Sequence, residues 1–166
     1  MLLLGGTIGN FTPGRRRAFL RAIGGLLGDG DHLLLGTDLV KSPAIIEAAY
    51  DDAAGVTAEF NLNMLEVINR ELGADFDLDA FEHVAFFDRE HEWIEMRLRA
   101  TAPQTVHIAD LDLTVRFAAR EELRTEISAK FSRERIDADF AAAGLELVEQ
   151  YVDDDGLFAL NLARCR

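Results

Sequence analysis

Glu126 and Ser128 stand two positions apart in the segment 125–131, TEISAKF. On an extended chain, side chains two apart project to one side, so the two polar groups share a face and Ile127 turns to the other. A carboxylate accepts from an N–H, and a hydroxyl donates or accepts. Together they could hold the two nitrogens of an imidazole. Spacing alone does not single this pair out.

A second polar group lies in residues 1–13, MLLLGGTIGNFTP, where an apolar run stops at Gly5-Gly6 and turns through residues 7–10. Glycine lets a ligand approach the main chain, and Asn10 offers a carbonyl acceptor and an amide donor pair. These residues suit a small polar molecule, or simply a strand that ends in a tight turn. Neither a GxGxxG dinucleotide fingerprint nor a GxxxxGK[ST] phosphate loop is present. Tyr50 is either a partly buried aromatic or a ligand contact, and Asp38 either borders the pocket or caps a helix. His83, His91 and His107 lack metal-ligand spacing, and the spaced aspartates of 73–82 lack the EF-hand pattern, so no metal is expected.

The elements that position these groups follow from periodicity. Residues 1–4 and 32–36 read as short, buried, parallel strands joined by a helix over 14–27 in a right-handed crossover. That helix turns Phe19, Leu20, Ile23, Leu26 and Leu27 inward and Arg15, Arg16, Arg17 and Arg21 outward as a solvated face. Helices are expected over 42–50 and 57–72, the second with Phe60, Met64, Leu65 and Ile68 on one side and Asn61 and Asn63 on its surface. Residues 73–82 form an acidic solvated connector whose Phe76, Leu78 and Phe81 pack down. Strands follow at 83–87, 93–100, 105–108 and 111–117, with WIEMRLRA and LDLTVRF alternating apolar and polar as a sheet with one wet face does. A capped helix over 132–143 precedes an antiparallel hairpin, 145–151 with 157–163, turned by Asp153-Asp154-Asp155-Gly156.

Composition limits the function classes. The 166 residues are 49% hydrophobic with 11 Phe and 3 Pro, as a folded globular domain is. A net charge of -13 argues against nucleic acid and against an anionic membrane surface. The N-terminal apolar run is too short for a membrane span, and Cys165 has no partner within the chain, which fits a reducing cytoplasm.

The chain resembles the C-terminal half of the histidine-specific, S-adenosylmethionine-dependent methyltransferases of ergothioneine biosynthesis. The resemblance rests on GGTIGNFTP (5–13), LLLGTDLVK (33–41), AYDDAAGVTAEFN (49–61), NRELGADFDLDAFEHVAFF (69–87), WIEM (93–96) and TEISAKF (125–131), in order along nearly the whole chain. It implies an α/β fold: the C-terminal part of a Rossmann-like class I methyltransferase sheet (1–41 and 132–166) with a helical and antiparallel-strand substrate-binding insertion (42–131). It also implies successive transfer of three methyl groups to the α-amine of L-histidine, giving hercynine, with no covalent nucleophile and no metal. By position, Asn10 and Tyr50 resemble the residues at the amino-acid carboxylate, Glu126 and Ser128 the pair on the imidazole, Met96 an apolar wall and Gly5 the pocket floor beside the methyl donor. Family members carry, ahead of the matched region, the glycine-rich S-adenosylmethionine loop and its acidic ribose contact. The chain is therefore expected to be a C-terminal portion that binds cofactor poorly and does not turn over alone. The alternatives are a non-catalytic remnant or binding module that keeps the histidine pocket, and a relative that methylates another aromatic amino acid.

Overall fold

The computed structural model describes all residues, Met1–Arg166. In chain order its strands and α-helices are β1 (Leu2–Leu3), α1 (Pro13–Gly24), β2 (Leu33–Asp38), α2 (Pro43–Tyr50), α3 (Val56–Leu72), β3 (Phe81–Asp88), β4 (Trp93–Ala100), β5 (Gln104–Ile108), β6 (Leu113–Phe117), β7 (Glu122–Ala129), α4 (Arg133–Ala142), β8 (Leu145–Val152) and β9 (Phe158–Cys165). They form two compact units: Met1–Pro43 with Asp88–Ile94 and Ile127–Arg166, and Ala44–Phe87 with Glu95–Glu126.

The first unit is built on a four-stranded sheet in the order β1-β2-β9-β8. β1 runs parallel to β2, as the strand-helix-strand spacing predicts, and β9 is antiparallel to both its neighbours. The apolar run of β2 is enclosed, with Leu33 and Leu35 fully buried against Leu20, Phe131, Ile136, Phe140 and Leu145. β1 departs from expectation: Leu2 and Leu4 are 69% and 51% exposed, because β1 is the sheet's edge and pairs with β2 alone. α1 stops at Gly24, short of residue 27, where the Gly24-Gly25 pair ends the helical run and leaves Leu26 exposed.

One arginine also breaks the predicted pattern. Arg16 is 1% exposed, and its Nε donates to Asp139 Oδ2 on α4 at 2.6 Å. A run of three arginines reads as a wet face, but only Arg15 and Arg17 are on it; the middle one has a carboxylate waiting 123 residues away. α4 opens on Ser132, whose hydroxyl accepts from the Arg135 N–H, and the chain leaves it at Gly144 with φ +80°, a left-handed geometry that suits glycine.

In the second unit, Leu65, Phe76, Phe81, Leu98, Val106, Ile108 and Phe117 form a core in which the Phe81 and Phe117 rings meet edge to face at 5.3 Å. Phe76 and Phe81 pack down as predicted, although 73–82 is less a solvated loop than expected: Ala74 bridges to Ile108, and the Asn69 amide brackets the Phe76 main chain. α3 is rotated from its predicted face. Phe60 is 62% exposed and Asn61 is buried, because the Asn61 amide finds two acceptors inside. The wet face expected on β4 also fails at Glu95, which is 3% exposed and held by Arg97 and Arg124. Asp52 accepts from the main-chain N–H groups of Thr57 and Val56 at the start of α3, and those bonds hold its carboxyl at about 2.

Candidate functional site

The turn after β1 is a short 3₁₀ helix, Gly6–Asn10, anchored by the buried Ile8 and Gly9. Gly9 has to be glycine on steric grounds. A Cβ there would lie 2.9 Å from the Ala129 carbonyl oxygen, 3.2 Å from the Ala129 nitrogen and 3.5 Å from Ser128 Oγ. The turn therefore lies flush against the end of β7, with its main chain beside Ser128, while Gly5 and Asn10 remain exposed.

Ser128 is itself buried, and Lys130 Nζ donates to its Oγ at 3.1 Å. Lys130 is 1% exposed and forms an ion pair with Asp38 Oδ2 at 2.8 Å, while Lys41 donates to Asp38 Oδ1 at 2.5 Å. Asp38 thus sits at the carboxyl end of β2, as expected, but it caps no helix: two ammonium groups hold it. Burial raises its carboxyl, and the hydrogen bonds and charges of Lys130 and Lys41 outweigh that, leaving it below the ordinary aspartate value. The main chain fixes the same corner, with Phe131 N donating to Asp38 O at 2.8 Å and Val40 N to Phe131 O at 3.1 Å.

In the second unit, Tyr50 ends α2, half-buried, and its carbonyl accepts from His83 Nε2 at 2.8 Å. His83 Nδ1 lies 2.9 Å from Asn61 Nδ2, which also donates to the Arg97 carbonyl at 3.1 Å. A carbonyl only accepts, so the amide must present its nitrogen here. His83 is then neutral, with its proton on Nε2 and a lone pair on Nδ1. Met96 is 3% exposed on β4, and its carbonyl accepts from Thr125 Oγ1 at 3.0 Å, beside the half-buried Glu126.

Of the residues singled out by sequence, Gly5, Asn10 and Ser128 belong to the first unit and Tyr50, Met96 and Glu126 to the second. Within the first, the Asn10 turn and the Ser128 strand are packed together. Glu126 and Ser128 lie on one strand with Ile127 between them in the core, as their spacing requires. Lys130 went unnoticed in the sequence, though it continues the same every-second-residue series as Glu126 and Ser128. Asn61 and His83 carried no local signal. No group of three or more His, Cys, Asp or Glu side chains is placed to hold a metal, and no helix is long and apolar enough to cross a membrane.

Comparison with known proteins adds to this geometry. The family described as "Histidine-specific methyltransferase, SAM-dependent" matches residues 1–165. The chain is 55% identical over 162 residues to a histidine N-alpha-methyltransferase of Mycobacterium tuberculosis, a match that covers 98% of this chain and 50% of that protein. It is 28% identical over 180 residues to the ergothioneine biosynthesis protein 1 of Neurospora crassa, covering 99% of this chain and 19% of that protein. Among solved structures, the CcbJ methyltransferase from Streptomyces caelestis superimposes with a TM-score of 0.51 at 12% identity, over 99% of this chain and 59% of that one. The fold is accordingly that of a methyltransferase, and the chain spans about half the length of the mycobacterial relative it matches.

Proposed function

The chain belongs to the histidine-specific, S-adenosylmethionine-dependent methyltransferase family, and on that premise we propose that it supplies the histidine-holding part of an enzyme that trimethylates the α-amine of L-histidine. The product is hercynine, on the way to ergothioneine, and the setting is the cytoplasm. In this reading Glu126 accepts from one ring N–H, Ser128 bonds the other ring nitrogen, and Met96 is an apolar wall. Asn10 and Tyr50 serve the carboxylate end of the amino acid. Residues 42–131 are the substrate-binding insertion, and 1–41 with 132–166 belong to the methyltransferase sheet. The observation that carries the reading is the buried Ser128 hydroxyl, held by Lys130 and set against the glycine turn that bears Asn10.

The residues present fit S-adenosylmethionine in part. A Cβ on Gly6 would meet nothing within 4 Å, and one on Gly5 only Thr7 Oγ1 at 3.6 Å, so this main chain is open to a ligand. The one carboxylate at the end of β2, Asp38, is committed to two lysines. Gly5 would thus border the cofactor, which when bound supplies an electrophilic sulfonium methyl. The work of this chain is to fix the amino acid at both ends, aim its neutral amine and exclude water, and it needs no covalent nucleophile.

An indole offers a single N–H, so two polar groups on one strand face favour imidazole over a tryptophan-like substrate. Titration with L-histidine and with histidine methylated on a ring nitrogen tests this. The blocked ring should bind at least tenfold more weakly; equal affinity would contradict the imidazole assignment.

A further inference from the structure

One imidazole joins α2, α3 and β3 inside the second unit. His83 is on β3, and its Nε2 lies 2.8 Å from the carbonyl oxygen of Tyr50, the last residue of α2. Its Nδ1 lies 2.9 Å from the amide nitrogen of Asn61 on α3, which also donates to the Arg97 carbonyl on β4 at 3.1 Å. Each of these bonds runs in one direction. Carbonyls only accept, so one Asn61 N–H goes to Arg97 and the His83 Nε2–H goes to Tyr50, and the second Asn61 N–H meets the Nδ1 lone pair. Asn61 is 1% exposed, and turning its amide over would set its oxygen against the Arg97 carbonyl.

The last carbonyls of a helix have no N–H of their own helix to accept from, so the end of α2 takes its place from the groups that donate to it. Two such donations come from β3, one turn of α2 apart: Phe87 N to Glu47 Oε1 at 3.1 Å, and His83 to the Tyr50 carbonyl. Past Tyr50 the chain turns directly into α3, whose first N–H groups Asp52 accepts. We infer that His83, held by Asn61, is a positioning residue: it fixes the main chain of Tyr50 and through it the grip of the Tyr50 side chain on the carboxylate of the bound amino acid. The inference rests on the assignment of Tyr50 to that carboxylate under the proposed function. Small displacements of a substrate-holding group are costly to the geometry it serves. A network that only stabilised the fold would change the melting temperature and leave the affinity of the folded protein alone.

The test is a double-mutant cycle read by calorimetric titration of the 166-residue chain with L-histidine, using His83→Leu, Tyr50→Phe and the two together, each checked by thermal melting. His83→Leu removes the donor to the Tyr50 carbonyl, and Tyr50→Phe removes the hydroxyl while keeping that carbonyl. Each should weaken binding about tenfold. The pair should bind within about threefold of Tyr50→Phe alone, because both changes act on one contact. His83→Gln, whose amide nitrogen can take the place of Nε2, should bind within about threefold of the unaltered chain. His83→Asn, too short to reach the Tyr50 carbonyl, replaces the Leu variant if that one does not fold.

A folded His83→Leu protein with unchanged affinity overturns the positioning role. So do losses that multiply in the pair, or binding by His83→Gln as weak as by His83→Leu, and each of these leaves the histidine reading standing. Full affinity in Tyr50→Phe overturns the assignment of Tyr50 and this inference with it. No histidine binding by the unaltered chain overturns the histidine reading itself.

Discussion

Arg16 donates through Nε to Asp139 across 2.6 Å, tying α1 to α4 with both side chains almost wholly enclosed. The guanidinium also lies 5.0 Å over the Phe131 ring, and its Nη1 reaches the carbonyl of Phe11 at 3.5 Å, where the 3₁₀ turn ends. Desolvation lowers the Arg16 pKa more than Asp139 restores it, so this cation depends on its partner.

Removing the partner alone should be costly. Asp139→Ala strands a buried guanidinium and should lower unfolding free energy by about 3–5 kcal/mol, whereas the double replacement Arg16→Met with Asp139→Leu should recover most of the loss. Denaturant unfolding of the three proteins measures both. A single-variant loss below about 1 kcal/mol would contradict the clamp.

Gly9→Ala drives a methyl group into the Ala129 main chain and toward Ser128 Oγ. Overpacking of this kind costs about 1–3 kcal/mol. Because backbone cannot yield as a flexible side chain does, the variant should melt at a lower temperature and bind histidine more weakly. Unchanged melting would show that the turn and strand are not in contact.

Asn61→Leu strips the donor from both His83 Nδ1 and the Arg97 carbonyl. Each orphaned acceptor costs about 1–3 kcal/mol, offset in part by relieving Asn61 Oδ1, which is buried without a partner. Nitrogen-15 NMR of the imidazole checks the state directly: His83 should carry its proton on Nε2 in the unaltered protein. A proton on Nδ1 would contradict the assigned network.

The fold was legible wherever a local pattern and the burial it implies agreed. The LLLG run of β2, the Ser132 cap of α4 and the acidic hairpin turn each state their own outcome. The misreadings have a common element: at Arg16, Asn61 and Glu95 a polar residue goes inward where a partner comes from a distant segment, Asp139, His83 and Arg124 respectively, the last joined by Arg97 two residues away. Periodicity cannot see a partner 22 to 123 residues away. At the site, Glu126 and Ser128 are visible through their spacing, but the contact of Lys130 with the Ser128 hydroxyl is not, since Lys130 is held by Asp38 from β2.

Asp38 gives a pH dependence of stability with a defined sign. Burial raises its carboxyl, Lys130 and Lys41 lower it by more, and the folded value lies below the unfolded one. Its contribution is therefore present in full above the ordinary aspartate value of about 3.9 and is lost as pH falls through the lower folded value. Asp38→Asn should accordingly be less stable than the unaltered chain at neutral pH, with the gap closing in strong acid. A gap that is constant with pH would contradict the ion pairs.

Whether this chain holds histidine through Glu126 is decided by calorimetric titration of the 166-residue chain with L-histidine, alone and with S-adenosylhomocysteine, set beside Glu126→Ala. Histidine should bind, and Glu126→Ala should weaken that binding at least tenfold while its melting temperature stays within a few degrees of the unaltered chain. Histidine binding that Glu126→Ala leaves intact, or a loss of binding matched by an equal loss of stability, would contradict it.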